Sequence, residues 1–125
     1  MQADAVVAVV ENDAAMLKAI GRLLRASGIA TSLYPSAEAF LAREARAPVA
    51  CLVLDIALGG MSGIDLQACL TATGVAPPII FVTCQADQHY ELRARAQGCL
   101  AYLRKPFASG ALLQALGLAN HTSAA

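Results

Sequence analysis

Hydrophobic residues occur in five short blocks along the chain, and a polar or glycine-containing segment follows each block. In the central block, Ala50–Leu54, no polar residue alternates with the apolar ones. This pattern predicts a strand that is buried on both faces, as in a parallel sheet. The other blocks that predict strands are Ala5–Val10, Ile29–Tyr34, Ile79–Thr83 and Cys99–Leu103.

Amphipathic helices are predicted between the strands, because apolar residues recur there at helical spacing. Asp13 and Ser36 are suitable N-caps for the first two helices. The helix predicted over Asp87–Gln97 has Tyr90 and Leu92 as its only clear apolar anchors, so we expect it to pack thinly. The remaining helices are predicted to begin near Gly63 and Ala108.

The order of elements is therefore a β-α unit repeated five times. Strands that are joined by helix-length crossovers run parallel, and right-handed crossovers place helices on both faces of the sheet. The fold class predicted is α/β, a doubly wound five-stranded parallel sheet. The 125 residues suffice for one core and are too few for two. We expect one domain over residues 1–119, with 120–125 as a tail or the start of a linker.

Composition and charge argue against DNA binding, membrane insertion and a cysteine-bound metal. The formal net charge is zero and charged residues make up 14%, so the chain lacks the basic field that holds DNA. The apolar fraction is 58%, yet polar residues and glycines interrupt every apolar run before it reaches membrane length. The four cysteines lack metal-binding spacing and are predicted to be reduced thiols. We expect a cytoplasmic domain that does not contact a membrane.

Polar residues stand at the carboxyl ends of four predicted strands, at the edge where open α/β sheets bind ligands. Carboxylates held together there repel each other unless a cation joins them, and Mg²⁺ prefers oxygen ligands and often binds a phosphoryl group. Asp55 would then be a carboxylate nucleophile, with Lys105 neutralising phosphoryl oxygens and Thr83 donating a hydrogen bond. Each residue alone is more simply a helix cap or an ion pair. Their coincidence favours the functional interpretation of Glu11, Asn12, Asp55, Thr83 and Lys105.

With these residues in this order, the chain resembles the receiver domains of two-component response regulators, which have a (βα)5 flavodoxin-like fold. The resemblance rests on Glu11-Asn12, Asp55, Met61-Ser62-Gly63, Thr83 and Lys105-Pro106-Phe107. Tyr34–Leu41 and the segments VTCQAD and KPF resemble the FixJ-type subgroup. The resemblance implies a signalling module that is not an enzyme beyond autocatalytic phosphoryl transfer to and from its own aspartate.

The resemblance also implies a role for each matching residue. Asp55 would be the phosphoacceptor for a sensor histidine kinase, and Lys105, with a cis bond to Pro106, would bind a phosphoryl oxygen. Thr83 and Tyr102 would form the switch pair. Mg²⁺ would be held by Glu11, Asn12, Asp55 and the backbone carbonyl of Ala57. Residues 87–119 would form a homodimer face, and DNA would be bound only through an effector domain absent from this chain.

Two departures from the family pattern leave alternatives open. The second acid is replaced by Asn12, which predicts weak Mg²⁺ binding, and Gly59 stands where a proline is usual. One alternative is a degenerate receiver that acts as a phosphorylation-independent interaction or dimerisation module. A haloacid-dehalogenase-like phosphatase would need an aspartate at Ala57, and a dinucleotide-binding enzyme would need glycines in Glu11–Lys18.

Overall fold

The computed structural model describes residues 5–44, 48–74, 76–84 and 88–123, with the side chains of 120–123 excepted. Strands and helices alternate through these residues. The strands are β1 (Val6–Val10), β2 (Thr31–Tyr34), β3 (Val49–Leu54), β4 (Ile79–Thr83) and β5 (Ala101–Arg104). The helices are α1 (Ala14–Ala26), α2 (Ala37–Leu41), α3 (Gly63–Ala72), α4 (Gln88–Ala96) and α5 (Ser109–Ser123). The predicted five β-α units are confirmed.

All five strands run parallel, in the order β2-β1-β3-β4-β5. The register places Val10 opposite Leu54, so the residues that follow β1 and β3 leave the sheet side by side. On the other side of β3, Leu54 pairs with Phe81 of β4. Because the strands are parallel, their carboxyl ends open into the same edge of the sheet.

Two apolar cores cover the two faces of the sheet, because successive strand side chains point to opposite sides. On one face, Val10, Leu54 and Phe81 pack against α2, α3 and α4, with Phe40 and Ile64 among the fully buried side chains. On the other face, α1 and α5 pack over the alternate strand residues, which include Val9, Val53, Ile80 and Val82. The doubly wound arrangement predicted from the sequence is confirmed.

Side-chain caps begin three of the helices. The Asp13 carboxylate accepts hydrogen bonds from the backbone N–H groups of Ala15 and Met16 at the start of α1. The Ser36 hydroxyl caps α2, and the Ser62 hydroxyl caps α3. Such bonds satisfy donors that the helix itself leaves unpaired. The caps predicted at Asp13 and Ser36 are therefore confirmed.

The boundary after α4 differs from the prediction, whereas the predicted start of this helix cannot be compared with the structure. Asp87, where the helix was predicted to begin, lies outside the described residues, and α4 starts at Gln88. The backbone N–H of Cys99 bonds to Ala94 O, so Cys99 closes the helix instead of beginning β5. As predicted, α4 packs thinly, since Ala94 is its only buried residue and Leu92 is 66% exposed.

The last helix extends further than the sequence predicted. α5 continues to Ser123, past Asn120, where a tail or linker was expected to begin. Ala119 is still buried in the core under α5, so packing supports the helix up to the expected boundary. The assignment of residues 120–125 to a linker stays a prediction.

Candidate functional site

A cleft of about 340 Å³ lies at the carboxyl edge of the sheet, where the ends of β1, β3, β4 and β5 meet. The structure brings six of the seven predicted site residues together there. The cleft is lined by Glu11, Asn12, Asp13, Asp55, Ala57, Thr83, Cys84 and Lys105. Tyr102 is the predicted site residue that does not line it.

Lys105 joins the two predicted acids of the cleft. Its Nζ lies 2.5 Å from Glu11 Oε1 and 3.1 Å from Asp55 Oδ2. The three side chains are 9%, 1% and 8% exposed, respectively, so this is a nearly buried group of two carboxylates and one ammonium. The backbone N–H of Lys105 bonds to Thr83 O, which continues the β4–β5 pairing and aims the lysine at the cleft.

The second oxygen of each carboxylate is also fixed. Glu11 Oε2 accepts a hydrogen bond from the backbone N–H of Asp13 at 3.1 Å. Asp55 Oδ1 accepts one from the backbone N–H of Ile56 at 2.7 Å. Both carboxylates are therefore oriented by the backbone that follows them, and their position does not depend on Lys105 alone.

Burial and charge act in opposite directions on these groups. Burial raises the pKa of Glu11, and the hydrogen bond from Lys105 opposes that effect. Burial on its own would lower the pKa of Lys105, but the hydrogen bond to Glu11 and the charge of Asp55 outweigh it, so this pKa is raised. Lys105 therefore stays charged at neutral pH.

The backbone after Asp55 explains the Met61-Ser62-Gly63 motif. A Cβ at Gly63 would lie 2.1 Å from the backbone oxygen of Asp55, far inside van der Waals contact. The Gly63 N–H also donates to Ile56 O at 2.9 Å. Only glycine lets α3 begin this close to the end of β3, so Gly63 fixes the backbone that carries Asp55.

Gly59, one of the two departures from the family pattern, has a backbone conformation that excludes the usual proline. Its φ is +84°, a left-handed conformation that proline, with φ near −65°, does not adopt. A Cβ at Gly59 would lie 3.7 Å from Asn12 Nδ2. The two departures from the pattern are therefore neighbours in the folded chain.

Tyr102 lies behind the cleft. It pairs with Phe81 across β4 and β5, with the ring centroids 5.9 Å apart, and it is 9% exposed. Its hydroxyl is buried and has no hydrogen-bond partner among the described residues. Burial also raises the pKa of Tyr102. The ring is thus directed inward, next to β4, whose last residue is the fully buried Thr83.

The oxygen donors of the cleft suit a hard cation such as Mg²⁺, which binds few protein ligands and keeps several waters. They are the carboxylates of Glu11 and Asp55 and the amide of Asn12, and Ala57, whose carbonyl is the fourth predicted ligand, lines the same cleft. Within the described ranges, no group of three or more His, Cys, Asp or Glu side chains is placed to hold a metal. The donor set fits Mg²⁺ chemically, with less negative charge than an acid in place of Asn12 would give.

Among the described residues, no helix is both long and apolar enough to cross a bilayer. The peptide bond between Lys105 and Pro106 is cis, as the resemblance implied.

One contact next to the cleft has no signal in the sequence. Glu38, in α2, accepts a hydrogen bond from the backbone N–H of Met61, which is 23 positions away in the chain. Glu38 lies within Tyr34–Leu41, the stretch that resembles the FixJ-type subgroup, and the sequence assigns it no role of its own. Neither periodicity nor a motif indicates that its carboxylate reaches the loop after Asp55.

The comparisons with known proteins identify the family of this chain. The family model of the response regulator receiver domain matches residues 7–117. Nodulation protein W of Bradyrhizobium diazoefficiens is 37% identical over 112 residues, which cover 90% of this chain and 49% of that protein. The chain spans about half the length of the curated relatives it matches.

Two solved structures extend the comparison to the fold. The structure of response regulator StyR is 36% identical, with a TM-score of 0.87, and the match covers 98% of this chain and 62% of that one. The structure of FixJ-N is 29% identical, with a TM-score of 0.86, and the match covers 97% and 96%. Since the family match spans β1 to α5, the chain belongs to the response regulator receiver domains of two-component signalling systems.

Proposed function

We propose that Asp55 is the phosphoacceptor of this receiver domain and takes its phosphoryl group from a sensor histidine kinase. The observation that carries the proposal is the position of Lys105 Nζ, 3.1 Å from Asp55 Oδ2, in a cleft lined by oxygen donors. In the transfer, a carboxylate oxygen of Asp55 forms a bond to phosphorus while the phosphorus–nitrogen bond of the phosphohistidine breaks. The product is an acyl phosphate.

Lys105 and the cleft donors have separate tasks in this proposal. The Lys105 ammonium neutralises charge on the phosphoryl oxygens, where a fixed cation is most effective. Glu11, Asn12, Asp55 and the Ala57 carbonyl would hold Mg²⁺, which receiver domains bind at this site and which neutralises further charge on the phosphoryl group. Because Asn12 is neutral, we propose that this Mg²⁺ binding is weak.

We further propose that Thr83 and Tyr102 transmit the change to the face formed by α4, β5 and α5. A phosphoryl group adds nearly two negative charges and several acceptor oxygens next to Thr83. α4 is the thinly packed element of this face, and its Leu92 is exposed, so its local stability is low. The face would bind a second copy of the chain or an effector domain, as the greater length of the relatives suggests. A cytoplasmic location stays a prediction.

Intact-mass measurement tests the phosphoacceptor. Incubation with acetyl phosphate and Mg²⁺ should add one phosphoryl group to the native chain and none to Asp55→Asn. Asp65→Asn is the matched control, because Asp65 is an exposed aspartate in the first turn of α3, and it should be modified like the native chain. An equal adduct on Asp55→Asn would overturn the proposal. No adduct on the native chain would favour the degenerate-receiver alternative.

A further inference from the structure

The loop between β3 and α3, residues Ile56–Ser62, forms one wall of the cleft and carries Ala57. It contains the adjacent glycines Gly59 and Gly60. Glycine loses more conformational freedom on ordering than any other residue, so this loop needs contacts that hold it. Leu58, which is 3% exposed, supplies one by packing into the core below the loop.

Glu38 supplies a second contact, from a different element. Its Oε2 accepts a hydrogen bond from the backbone N–H of Met61 at 2.8 Å. This bond and one from its own backbone N–H lower the pKa of Glu38, so the carboxylate is ionised at neutral pH. α2 holds Glu38 in place, because Ser36 caps the helix and Phe40 is buried beneath it.

The Glu38 carboxylate occupies the space that a side chain at Gly60 would need. A Cβ at Gly60 would lie 2.8 Å from Glu38 Oε2 and 3.2 Å from Oε1. Gly60 is not among the glycines with positive φ, so its backbone conformation is open to other residues. Glycine here leaves room for the Glu38 carboxylate, which any larger residue would displace.

From these contacts we infer that Glu38 is a positioning residue, which holds the β3–α3 loop so that the Ala57 carbonyl faces the cleft. The inference rests on the proposed function, because that carbonyl is one of the proposed Mg²⁺ ligands. Without the bond to Met61, the two glycines would let the wall of the cleft move. Gly59, which is next to Asn12, would move with it.

Two separate measurements test the order of the loop and the affinity for Mg²⁺. Hydrogen exchange by NMR reports on the Met61 amide, and Mg²⁺ titration followed by chemical shifts gives the dissociation constant. Glu38→Ala should expose the Met61 amide to faster exchange. It should weaken Mg²⁺ binding about threefold to tenfold, less than the 10- to 100-fold typical of groups that bond directly to a metal ligand, because Glu38 acts through the backbone. Glu38→Gln keeps an acceptor oxygen and should restore most of both.

Gly60→Ala provides an independent perturbation, because its methyl group would displace the carboxylate while Glu38 is still present. It should reproduce both effects, and the double variant should be no worse than Glu38→Ala, since the same contact is already lost. Gly117→Ala is the matched glycine control, with open space around its Cβ. Asp65→Ala is the matched acid control.

The outcomes separate this inference from the proposed function. If Glu38→Ala binds Mg²⁺ as the native chain does, or if the Glu38→Ala and Gly60→Ala effects add in full, Glu38 does not position the loop. Absence of Mg²⁺ binding by the native chain at millimolar concentration would overturn the inference as well. If binding changes as expected but Asp55 is never phosphorylated, the proposed function fails while the role of Glu38 stands.

Discussion

Replacing Lys105 by methionine tests whether the buried charged group supports the fold. The substitution keeps a long apolar side chain and removes the ammonium that Glu11 and Asp55 share at 2.5 and 3.1 Å. Two carboxylates, each less than 10% exposed, then face each other without a cation. Both retain a backbone hydrogen bond, which limits the damage.

The expected loss of stability follows from known costs of leaving buried charges unpaired. Removing one partner of a buried ion pair costs about 3–5 kcal/mol. Because the cleft opens to solvent and the carboxylates keep their backbone donors, we expect about 2–3 kcal/mol for Lys105→Met. The free energy of unfolding of a domain of this size is about 5–15 kcal/mol, so the variant should remain folded.

Urea unfolding at pH 7 gives the measurement. Lys18→Met is the matched control, because Lys18 is the other lysine of the chain and lies exposed on α1. Mg²⁺ should stabilise Lys105→Met more than the native chain, since a cation replaces the missing ammonium. If Lys105→Met unfolds at the same urea concentration as Lys18→Met, the charged group contributes no stability and the reasoning is refuted.

The pH dependence has a definite sign. The folded-state pKa of Lys105 is raised above its ordinary value of 10.5. The stability that Lys105 contributes is therefore fully present below that value and is lost as pH rises through the raised pKa. In urea unfolding, the difference in unfolding free energy between the native chain and Lys105→Met should stay constant from pH 7 upward and shrink once the pH exceeds 10.5. A difference that stays constant above that pH would contradict the assignment.

Three further predictions concern the cleft and the output face. Asn12→Asp should tighten Mg²⁺ binding by about 1–2 kcal/mol, because it adds a charged ligand near solvent; calorimetric titration that shows unchanged or weaker binding would exclude this position from the site. Gly63→Ala should lower the free energy of unfolding by about 3 kcal/mol or more, because its Cβ would overlap Asp55 O; Gly110→Ala, which has open space, is the control in the same urea experiment. Phosphorylation should change hydrogen exchange in residues 88–104 of the native chain but much less in Thr83→Ala; an equal response in both would show that Thr83 does not transmit the change.

The sequence by itself determined the order of elements, because each strand lies in a mainly apolar block and the helices, with the exception of α4, have a regular apolar spacing. It also determined the strand ends that line the cleft. Asp55 directly follows the apolar block of β3, and Thr83 ends that of β4. Since crossover connections make such strands parallel, the shared edge followed from topology alone. Local chemistry was equally readable at Asp13 and Ser36, whose caps need only neighbouring residues.

Element ends and long-range contacts were decided by the tertiary structure. Cys99 continues an apolar block in the sequence, but its backbone N–H completes the turn that ends α4. Lys105 reaches Glu11 from 94 positions away, and Glu38 reaches Met61 from 23. Periodicity reports only which face of an element is buried. Which side chain fills a particular space, such as the one above Gly60, depends on distances between elements that only the packed chain defines.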